Sequence, residues 1–302
     1  MLVTSKELTV PARAQGYAVG AFNAVNMESA QAIFRAAEET RSPFIIQITQ
    51  TTLAYTDPEE LFALIAALGK KATVPFAIHL DHGRSFEVCM RFLRLGVTSL
   101  MIDGSLQEDG KSPRTYEENV DITRRVVAAA QAMGVTVEGE IGRLGQITSE
   151  EERADAAEHL TRPEEAVQFL KDAGVDMLAL AIGTTHGLFA GRPHIAHDRL
   201  QQIAAKIPIP LVMHGGTGVP DEDVRKAVSL GIAKINIDTQ IRVAFYDAAI
   251  EQVHRVEKEF DETDAAGGVR KYDVRKILAP TREAMSRAVI DRMTVFGSAG
   301  KA

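Results

Sequence analysis

The stretch PLVMHGGTGVPDEDV, residues 210–224, contains the unit from which the fold is built. An apolar run of strand type ends at a histidine, three glycines follow within four residues, and a proline with acidic residues then begins a helix. Because glycines leave the turn without side chains, its backbone N–H groups can come close to an anion. The stretch therefore predicts a strand, an anion-binding loop and a helix, in that order.

Similar apolar runs recur along the chain, and helical patterns separate most of them. The eight runs are AVGAFNAV (18–25), PFIIQIT (43–49), PFAIHLD (75–81), TSLMID (98–103), VTVEGEIG (135–142), DMLALAIG (176–183), PLVMHGG (210–216) and IAKINID (232–238). Parallel strands need crossover connections of this kind. The pattern predicts an α/β fold, a (β/α)8 TIM barrel that comprises residues 1–302 as one domain. A doubly wound open sheet is the alternative, although the first strand is not followed by G-x-G-x-x-G.

The segments outside these units also have recognisable patterns. Residues 1–16 predict an extra helix before the first strand, and residues 240–302 predict an extended helical segment after the last. Residues 104–118 and 143–160 predict loops that are too long for ordinary turns and suit lids over a site. Thr161, three residues before Glu164, predicts a cap for the helix that follows it.

Composition excludes several classes of protein. The chain is 45% hydrophobic and 25% charged, as expected of a soluble globular protein. Its net charge of −7 argues against nucleic-acid binding, which needs a basic face. No apolar run is long enough to span a bilayer, and the first residues lack the apolar core expected of a signal peptide. The single cysteine, Cys89, excludes an internal disulfide, and we expect a cytoplasmic protein.

Three histidines follow three different strands of the predicted barrel. His82, His186 and His214 come after the third, sixth and seventh apolar runs. Barrel enzymes collect their chemistry at the C-terminal ends of the strands, so these imidazoles can converge there. Three imidazoles with one open position make a catalytic zinc site, whereas three unrelated loop histidines are the simpler interpretation.

Carboxylates fall at the same predicted rim. Asp81 adjoins His82 and suits either an acid/base role or the orientation of an imidazole. Asp103 and Glu140 lie at the ends of the fourth and fifth runs. They suit either a second cation site or hydrogen bonds to neighbouring loops.

The loops after the seventh and eighth runs suit a phosphate, which barrels commonly bind there. GGTG (215–218) offers free amides and the Thr217 hydroxyl, and NIDT (236–239) precedes a helix whose N-terminal dipole favours an anion. Arg242 lies one turn into that helix and suits a bidentate grip on a phosphate. A plain tight turn and a solvated arginine are the alternatives.

With these residues in place, the chain resembles the class II, metal-dependent fructose-1,6-bisphosphate aldolases and their tagatose-bisphosphate relatives. The resemblance extends over nearly the whole chain. Its motifs are AFNAVN (21–26), HLDHG (79–83), LMIDGS (100–105), VEGEIGRLG (137–145), AIGTTHG (181–187), HGGTG (214–218), KINIDT (234–239), DVRKILAPTREAM (273–285) and FGSAGKA (296–302).

The resemblance implies a role for each matching residue. Zn²⁺, replaceable by Co²⁺ or another divalent ion, would be held by three histidines. Asp81 would be the acid/base, and Glu150 or Glu151 would exchange the C–H proton. The implied metal ligands are His82, His186 and His214, with Asp103 and Glu140 at a second or alternative metal site. The implied substrate-binding residues are Asn23, Thr49, Gly187, Gly215, Gly216, Thr217, Asn236, Ile237, Asp238, Thr239 and Arg242.

The resemblance also implies an activity and an assembly. The expected reaction is reversible cleavage of fructose-1,6-bisphosphate into dihydroxyacetone phosphate and glyceraldehyde-3-phosphate through a zinc-stabilised enediolate. An aspartate at position 238 goes with the fructose compound in this family, and a small apolar residue goes with tagatose-1,6-bisphosphate. Na⁺ or K⁺ near the His186 and His214 loops, and a homodimer or homotetramer, are also expected.

The sequence leaves two other hypotheses open, one about the mechanism and one about the function. Lys234 lies in the eighth run, and barrel aldolases can also use a lysine Schiff base. A barrel that binds a phosphosugar with its metal but does not turn it over is a non-enzymatic alternative.

Overall fold

The structure, a computed structural model, describes residues 1–142, 160–189 and 191–302. Eight parallel strands pair in chain order, and the last pairs with the first to close a barrel. The strands are β1 (Val19–Asn23), β2 (Phe44–Thr49), β3 (Phe76–Gly83), β4 (Ser99–Ile102), β5 (Thr136–Ile141), β6 (Met177–Leu180), β7 (Leu211–Met213) and β8 (Ile232–Ile237). Closure confirms the predicted TIM barrel and excludes the open doubly wound sheet.

Helices alternate with these strands and extend both ends of the chain. The described helices are α1 (Ser5–Gln15), α2 (Met27–Thr40), α3 (Pro58–Gly69), α4 (Phe86–Leu95), α5 (Tyr116–Gln131), α6 (Pro163–Ala173), α7 (His197–Ala204), α8 (Asp221–Ser229), α9 (Thr239–Ala265) and α10 (Arg275–Val295). The extra N-terminal helix is α1, and the extended C-terminal segment is the pair α9 and α10. Both were predicted from the sequence.

Alternate residues of each strand face the helices and form the main core. Phe34 of α2 makes T-shaped ring contacts with Phe44 of β2 and with Phe76 of β3, and the ring centroids are 5.1 Å apart in each pair. All three side chains are buried in this core. The outward face of the barrel is therefore held by large apolar side chains, and the inward positions are left for other groups.

The two ends of the barrel interior differ in polarity. At the N-terminal end, Leu8 and Ala12 of α1 pack against Ala21, Ile45 and Ala77 of the strands. A capping box of Thr4 and Glu7 begins α1 and fixes where it crosses the barrel. Because the buried face of α1 covers this end, the opposite, C-terminal end is the one left for chemistry.

Local predictions failed at two places. Thr161 does not cap a helix, since its hydroxyl donates to the Ile141 carbonyl oxygen and accepts from the Ala181 amide, both at strand ends. The loop predicted over residues 104–118 is shorter, because Thr115 caps α5 with Glu118. Of the second predicted loop, residues 143–159 lie outside the described residues.

In the part of the chain that the structure describes, no helix is both long and apolar enough to cross a bilayer.

Candidate active site

The end of β3 directs two neighbouring side chains to the same side. In a regular strand, Asp81 and His82 would face opposite ways. The pairing of β3 with β4 shifts register between Leu80 and Gly83, and His82 has a left-handed backbone with φ of 51°. As a result Asp81 and His82 both line one cavity at the C-terminal end of the barrel.

The three predicted histidines converge there. His82 Nε2 lies 3.1 Å from His186 Nε2 and 3.1 Å from His214 Nδ1. Two nitrogens that each bind one tetrahedral zinc ion at about 2.0–2.1 Å are about 3.3 Å apart. The spacing of the described nitrogens therefore fits a metal ion held by all three rings.

The charge around the histidines suits a cation. Burial, together with the charge of His82, lowers the pKa of His186 to about 4. The same two causes, in the same order, hold the pKa of His214 well below its ordinary value. Both rings are therefore neutral at pH 7, as metal ligation requires. Burial opposes a charge on His82, yet Asp81 and Asp103 raise its pKa to about 9.

Asp103 and Glu140 lie on the other side of the His82 ring. His82 Nδ1 is 3.1 Å from Asp103 Oδ2, and Ser105 Oγ donates to Asp103 Oδ1 at 2.7 Å. Burial and the charge of Asp103 raise the pKa of Glu140 well above its ordinary value. His82, Asp103 and Glu140 place one ligand atom each within 4.8 Å of one another. The group is compact enough for a cation, and Asp103 also orients the His82 ring.

A buried ion pair lies beneath His214. Glu138 Oε1 is 2.7 Å from His214 Nε2, and Glu138 Oε2 is 2.8 Å from Lys234 Nζ. Both Glu138 and Lys234 are fully buried, and neither lines the cavity. A Schiff-base lysine must reach the substrate carbonyl, so this geometry argues against that mechanism for Lys234.

Asp81 is held by amide groups on both of its oxygens. Asn23 Nδ2 donates to Oδ2 at 3.0 Å, and Asn236 Nδ2 donates to Oδ1 at 3.2 Å. Gln47 in turn donates to Asn23 Oδ1 at 2.6 Å, which fixes the orientation of the Asn23 amide. Burial opposes ionisation, but the charges of His82 and the other neighbours outweigh it and lower the pKa of Asp81. Asp81 is therefore a carboxylate at pH 7 and can accept a proton.

The cavity has a volume of about 290 Å³ and collects most of the predicted site residues. Its lining consists of Asn23, Thr49, Thr51, Asp81, His82, Arg84, His186, Gly187, Gly215, Thr217, Asn236, Asp238, Thr239 and Arg242. The predicted metal ligands His214, Asp103 and Glu140 lie just outside this lining. Two predicted substrate-binding residues, Gly216 and Ile237, are not part of it either. The Gly216 amide donates to the Asn236 carbonyl, and the Ile237 side chain is buried in the core. Glu150 and Glu151 lie outside the described residues.

The loops after β6, β7 and β8 supply the wall predicted for a phosphate. Gly215 has φ of +62°, and a Cβ there would lie 2.1 Å from the Thr185 carbonyl oxygen. Thr217 Oγ1 accepts from the Gln240 amide at 3.3 Å, which ties this loop to the first turn of α9. Thr239 begins α9, whose N-terminus favours an anion.

Arg242 and Asp238 pair with each other at the cavity rim. Arg242 Nε is 2.7 Å from Asp238 Oδ1, and Nη2 is 2.7 Å from Oδ2. Burial raises the pKa of Asp238, although Arg242 acts against this shift. The carboxylate thus positions the guanidinium, while half of the Arg242 side chain stays exposed.

Three residues of this region were missed from the sequence. Glu138 lies within the fifth apolar run but has no predicted role, and Thr51 and Arg84 line the cavity without having been predicted. The alternation of Glu138 with Glu140 along β5 is the signal that could have found the first. Thr51 follows the end of β2 by two residues and Arg84 follows the end of β3 by one, and their sequence carries no comparable signal.

Comparison with known proteins gives a consistent answer. The family model described as "Fructose-bisphosphate aldolase class-II" matches residues 3–301. The chain is 44% identical to a fructose-bisphosphate aldolase of Thermus caldophilus, over 100% of both chains. It is 40% identical to a sulfofructosephosphate aldolase of Alkalicoccus urumqiensis, over 99% of this chain and 98% of that one.

A solved structure agrees with these sequences. The YdjI aldolase of Escherichia coli K12 superposes with a TM-score of 0.84 at 30% identity, and the match covers 100% of both chains. Its fold, the family match over residues 3–301 and the full-length relatives lead to one conclusion. The chain belongs to the class II fructose-bisphosphate aldolase family and is an aldolase, a carbon–carbon lyase.

Proposed function

We propose that the protein reversibly cleaves fructose-1,6-bisphosphate into dihydroxyacetone phosphate and glyceraldehyde-3-phosphate, using a divalent metal ion. Zinc is the proposed ion, and Co²⁺ is a candidate replacement. The observation that carries the proposal is the convergence of three ring nitrogens beside the Asp81 carboxylate, in a cavity walled by loops suited to an anion. Family membership supports a phosphosugar as the substrate.

Different groups of residues bind different parts of the substrate. The loops at Gly187, Gly215, Thr217 and Thr239 bind the phosphate of the dihydroxyacetone half through amides and hydroxyls. His82, His186 and His214 would hold the metal, and Asp103 with Glu140 would offer a second position beside His82. A bound divalent ion polarises the ketone carbonyl and stabilises negative charge on its oxygen.

Asp81 performs the proton transfer that begins cleavage. Its carboxylate accepts the proton of the C4 hydroxyl, and the bond between C3 and C4 then breaks to release the aldehyde. Asn23 and Asn236 hold both carboxylate oxygens, so the acceptor stays in position throughout. Glu150 or Glu151 is the proposed group that exchanges the proton at C3.

Two further expectations remain predictions. One is a bound Na⁺ or K⁺ near the His186 and His214 loops, and the other is a cytoplasmic location.

The far end of the substrate meets Asp238 and Arg242. We propose that Arg242 binds the distal phosphate and that Asp238 discriminates between the two configurations at C4. Fructose- and tagatose-bisphosphate differ only there, so a carboxylate can accept a hydrogen bond from one epimer and leave the other unpaired. The sulfofructosephosphate aldolase among the relatives makes that sugar phosphate a second candidate substrate.

A homodimer or homotetramer is the proposed assembly, and α9 offers a surface for it. Val243, Tyr246, Ile250 and Val253 lie three and four residues apart, and so on one face of this helix. Their side chains are 37%, 66%, 54% and 40% exposed. A row of exposed apolar side chains on one long helix is typical of an interface.

The first prediction concerns the metal ligands. His82→Ala, His186→Ala and His214→Ala should each lose bound metal and activity, because three protein ligands are needed to fix the ion. Metal analysis of the purified variants measures this, and circular dichroism checks folding. His254→Ala, on the exposed face of α9, is the control and should keep its metal. A variant with full metal content would remove that histidine from the site.

The same preparation separates metal from lysine chemistry. A chelator should abolish cleavage, and metal should restore it. Borohydride added with substrate should leave the enzyme active, since a Schiff base is the adduct that it reduces. A covalent adduct on Lys234 would contradict the proposed mechanism.

The second prediction concerns Asp81. Asp81→Asn should keep its metal and lose about 10²–10⁴-fold in kcat for cleavage, the usual contribution of a general acid or base. Steady-state kinetics and metal analysis on one preparation provide both numbers. Asp57→Asn, at an exposed helix cap, is the matched control and should be active. Near-normal turnover in Asp81→Asn would reduce Asp81 to orienting its neighbours.

The third prediction concerns substrate choice. The wild type should prefer fructose- over tagatose-1,6-bisphosphate, and Asp238→Ala should narrow the ratio of kcat/KM by roughly tenfold to a hundredfold, because an unpaired buried group costs about 1–3 kcal/mol. Arg242→Met should weaken both bisphosphates alike. A wild-type preference for tagatose-bisphosphate or sulfofructosephosphate, or a ratio unmoved by Asp238→Ala, would contradict the substrate assignment.

The fourth prediction concerns assembly. Sedimentation should give the wild type a mass of two or four chains. Ile250→Glu with Val253→Glu should lower that mass, because it places two charges in the apolar row. Val269→Glu is the control, since Val269 is 86% exposed and lies outside α9. A wild-type monomer, or an unchanged mass in the double variant, would exclude this surface as the interface.

A further inference from the structure

The interior of the barrel contains a layer of charged and polar side chains beneath the histidines. His79 on β3, Glu138 on β5 and Lys234 on β8 point to this layer and are fully buried. Barrel interiors are usually filled by branched apolar residues. A lysine and a glutamate in their place therefore need a reason.

Stability does not supply that reason. Removing an ion from water costs several kcal/mol even after relaxation, and replacing a buried ion pair by well-packed apolar residues is often neutral or stabilising. Lys234 Nζ and Glu138 Oε2 lie 2.8 Å apart, so their attraction offsets part of this cost. The pair is better explained by what Glu138 does with its other oxygen.

That oxygen contacts a proposed metal ligand. Glu138 Oε1 lies 2.7 Å from His214 Nε2, while His214 Nδ1 lies 3.1 Å from His82 Nε2. A carboxylate only accepts hydrogen bonds, so the proton of the His214 ring must sit on Nε2. The lone pair of Nδ1 then faces the point where the other two rings converge.

We infer that Glu138, held by Lys234, is a positioning residue that fixes the tautomer and orientation of His214 and so selects Nδ1 as its metal-binding atom. The inference rests on the proposed metal-dependent function. Carboxylates that hydrogen-bond to a ligating histidine have this effect in metal sites generally. Lys234 compensates the carboxylate, so that the negative charge beneath the metal position is balanced.

His79 forms the third side of this arrangement. Its Nε2 lies 3.8 Å from Glu138 Oε2, and its Nδ1 lies 2.7 Å from Ser99 Oγ. Burial and the charge of Lys234 hold the pKa of His79 well below its ordinary value, so the ring is neutral. Lys234 is therefore the cation that balances the negative charge of Glu138, and His79 contributes no positive charge.

The experiment compares metal affinity and tautomer in three variants. Glu138→Gln keeps the shape of the side chain and removes its charge, Lys234→Met leaves the carboxylate uncompensated, and the double variant removes both charges. Titration with Co²⁺ alone should show Kd raised about 10–100-fold by Glu138→Gln. Lys234→Met should also weaken binding, and the double variant should lose less than the two single losses added together.

A second readout does not depend on metal or on activity. Nitrogen-15 correlation spectra of the metal-free protein should show the His214 proton on Nε2 in the wild type, and a mixture of tautomers in Glu138→Gln. Lys6→Met is the matched control, because it breaks the exposed Lys6–Asp176 pair of 3.0 Å at the far end of the barrel. It should change neither the Kd for Co²⁺ nor the tautomer.

The outcomes are distinct. A wild-type proton on Nδ1 of His214, or unchanged Kd and tautomer in a folded Glu138→Gln variant, would overturn the inference. If the wild type binds no divalent metal, the proposed function fails, while the tautomer still decides the role of Glu138. If Glu138→Gln does not fold, the inference is tested by the His214 tautomer in the wild-type spectrum and by the Kd of Lys234→Met for Co²⁺.

Discussion

The left-handed backbone at His82 is the constraint on which the site depends. A strand that stayed regular would send either Asp81 or His82 into the helical layer. The register shift in β3 and the φ of 51° at His82 bring both side chains to one cavity. A non-glycine residue in this conformation costs of order 1–3 kcal/mol, and it persists only where the surroundings enforce it. Here the closed barrel pairs β3 on both sides and holds the distortion.

Each buried carboxylate around that distortion has its own partner. Asp81 accepts from two amides, Asp103 contacts the His82 ring, and Glu138 lies between Lys234 and His214. Glu140 differs, since burial and the Asp103 charge raise its pKa well above the usual range. The fold thus shifts the pKa values of neighbouring carboxyl groups in opposite directions, as acid–base sites commonly do.

Much of this arrangement could be predicted from the sequence because the strand ends are marked by polar residues after apolar runs. The histidines, Asp81 and the glycine loops all follow that rule, and most of them line the cavity. The rule failed for Gly216, whose amide is taken by the Asn236 carbonyl, because pairing between loops is not encoded locally. The separate prediction that Thr161 caps a helix failed for a similar reason, since its hydroxyl is hydrogen-bonded to two strand ends instead. The role of Glu138 could not be predicted from the sequence, because its contacts with His214 and Lys234 join side chains from separate strands inside the barrel.

The contact between Thr185 and Gly215 explains how the proposed metal ligand His214 and the proposed anion loop can share one short stretch. A Cβ at Gly215 would lie 2.1 Å from the Thr185 carbonyl oxygen, so the loops after β6 and β7 touch backbone to backbone. His186 and His214 each lie one residue from this contact, and their separation is therefore set by it. Gly187 lies one residue beyond His186, and Thr217 lies two beyond Gly215 in the same cavity wall. A side chain at position 215 would move the histidines and the neighbouring loops together, so a single glycine couples the proposed metal position to the proposed phosphate position.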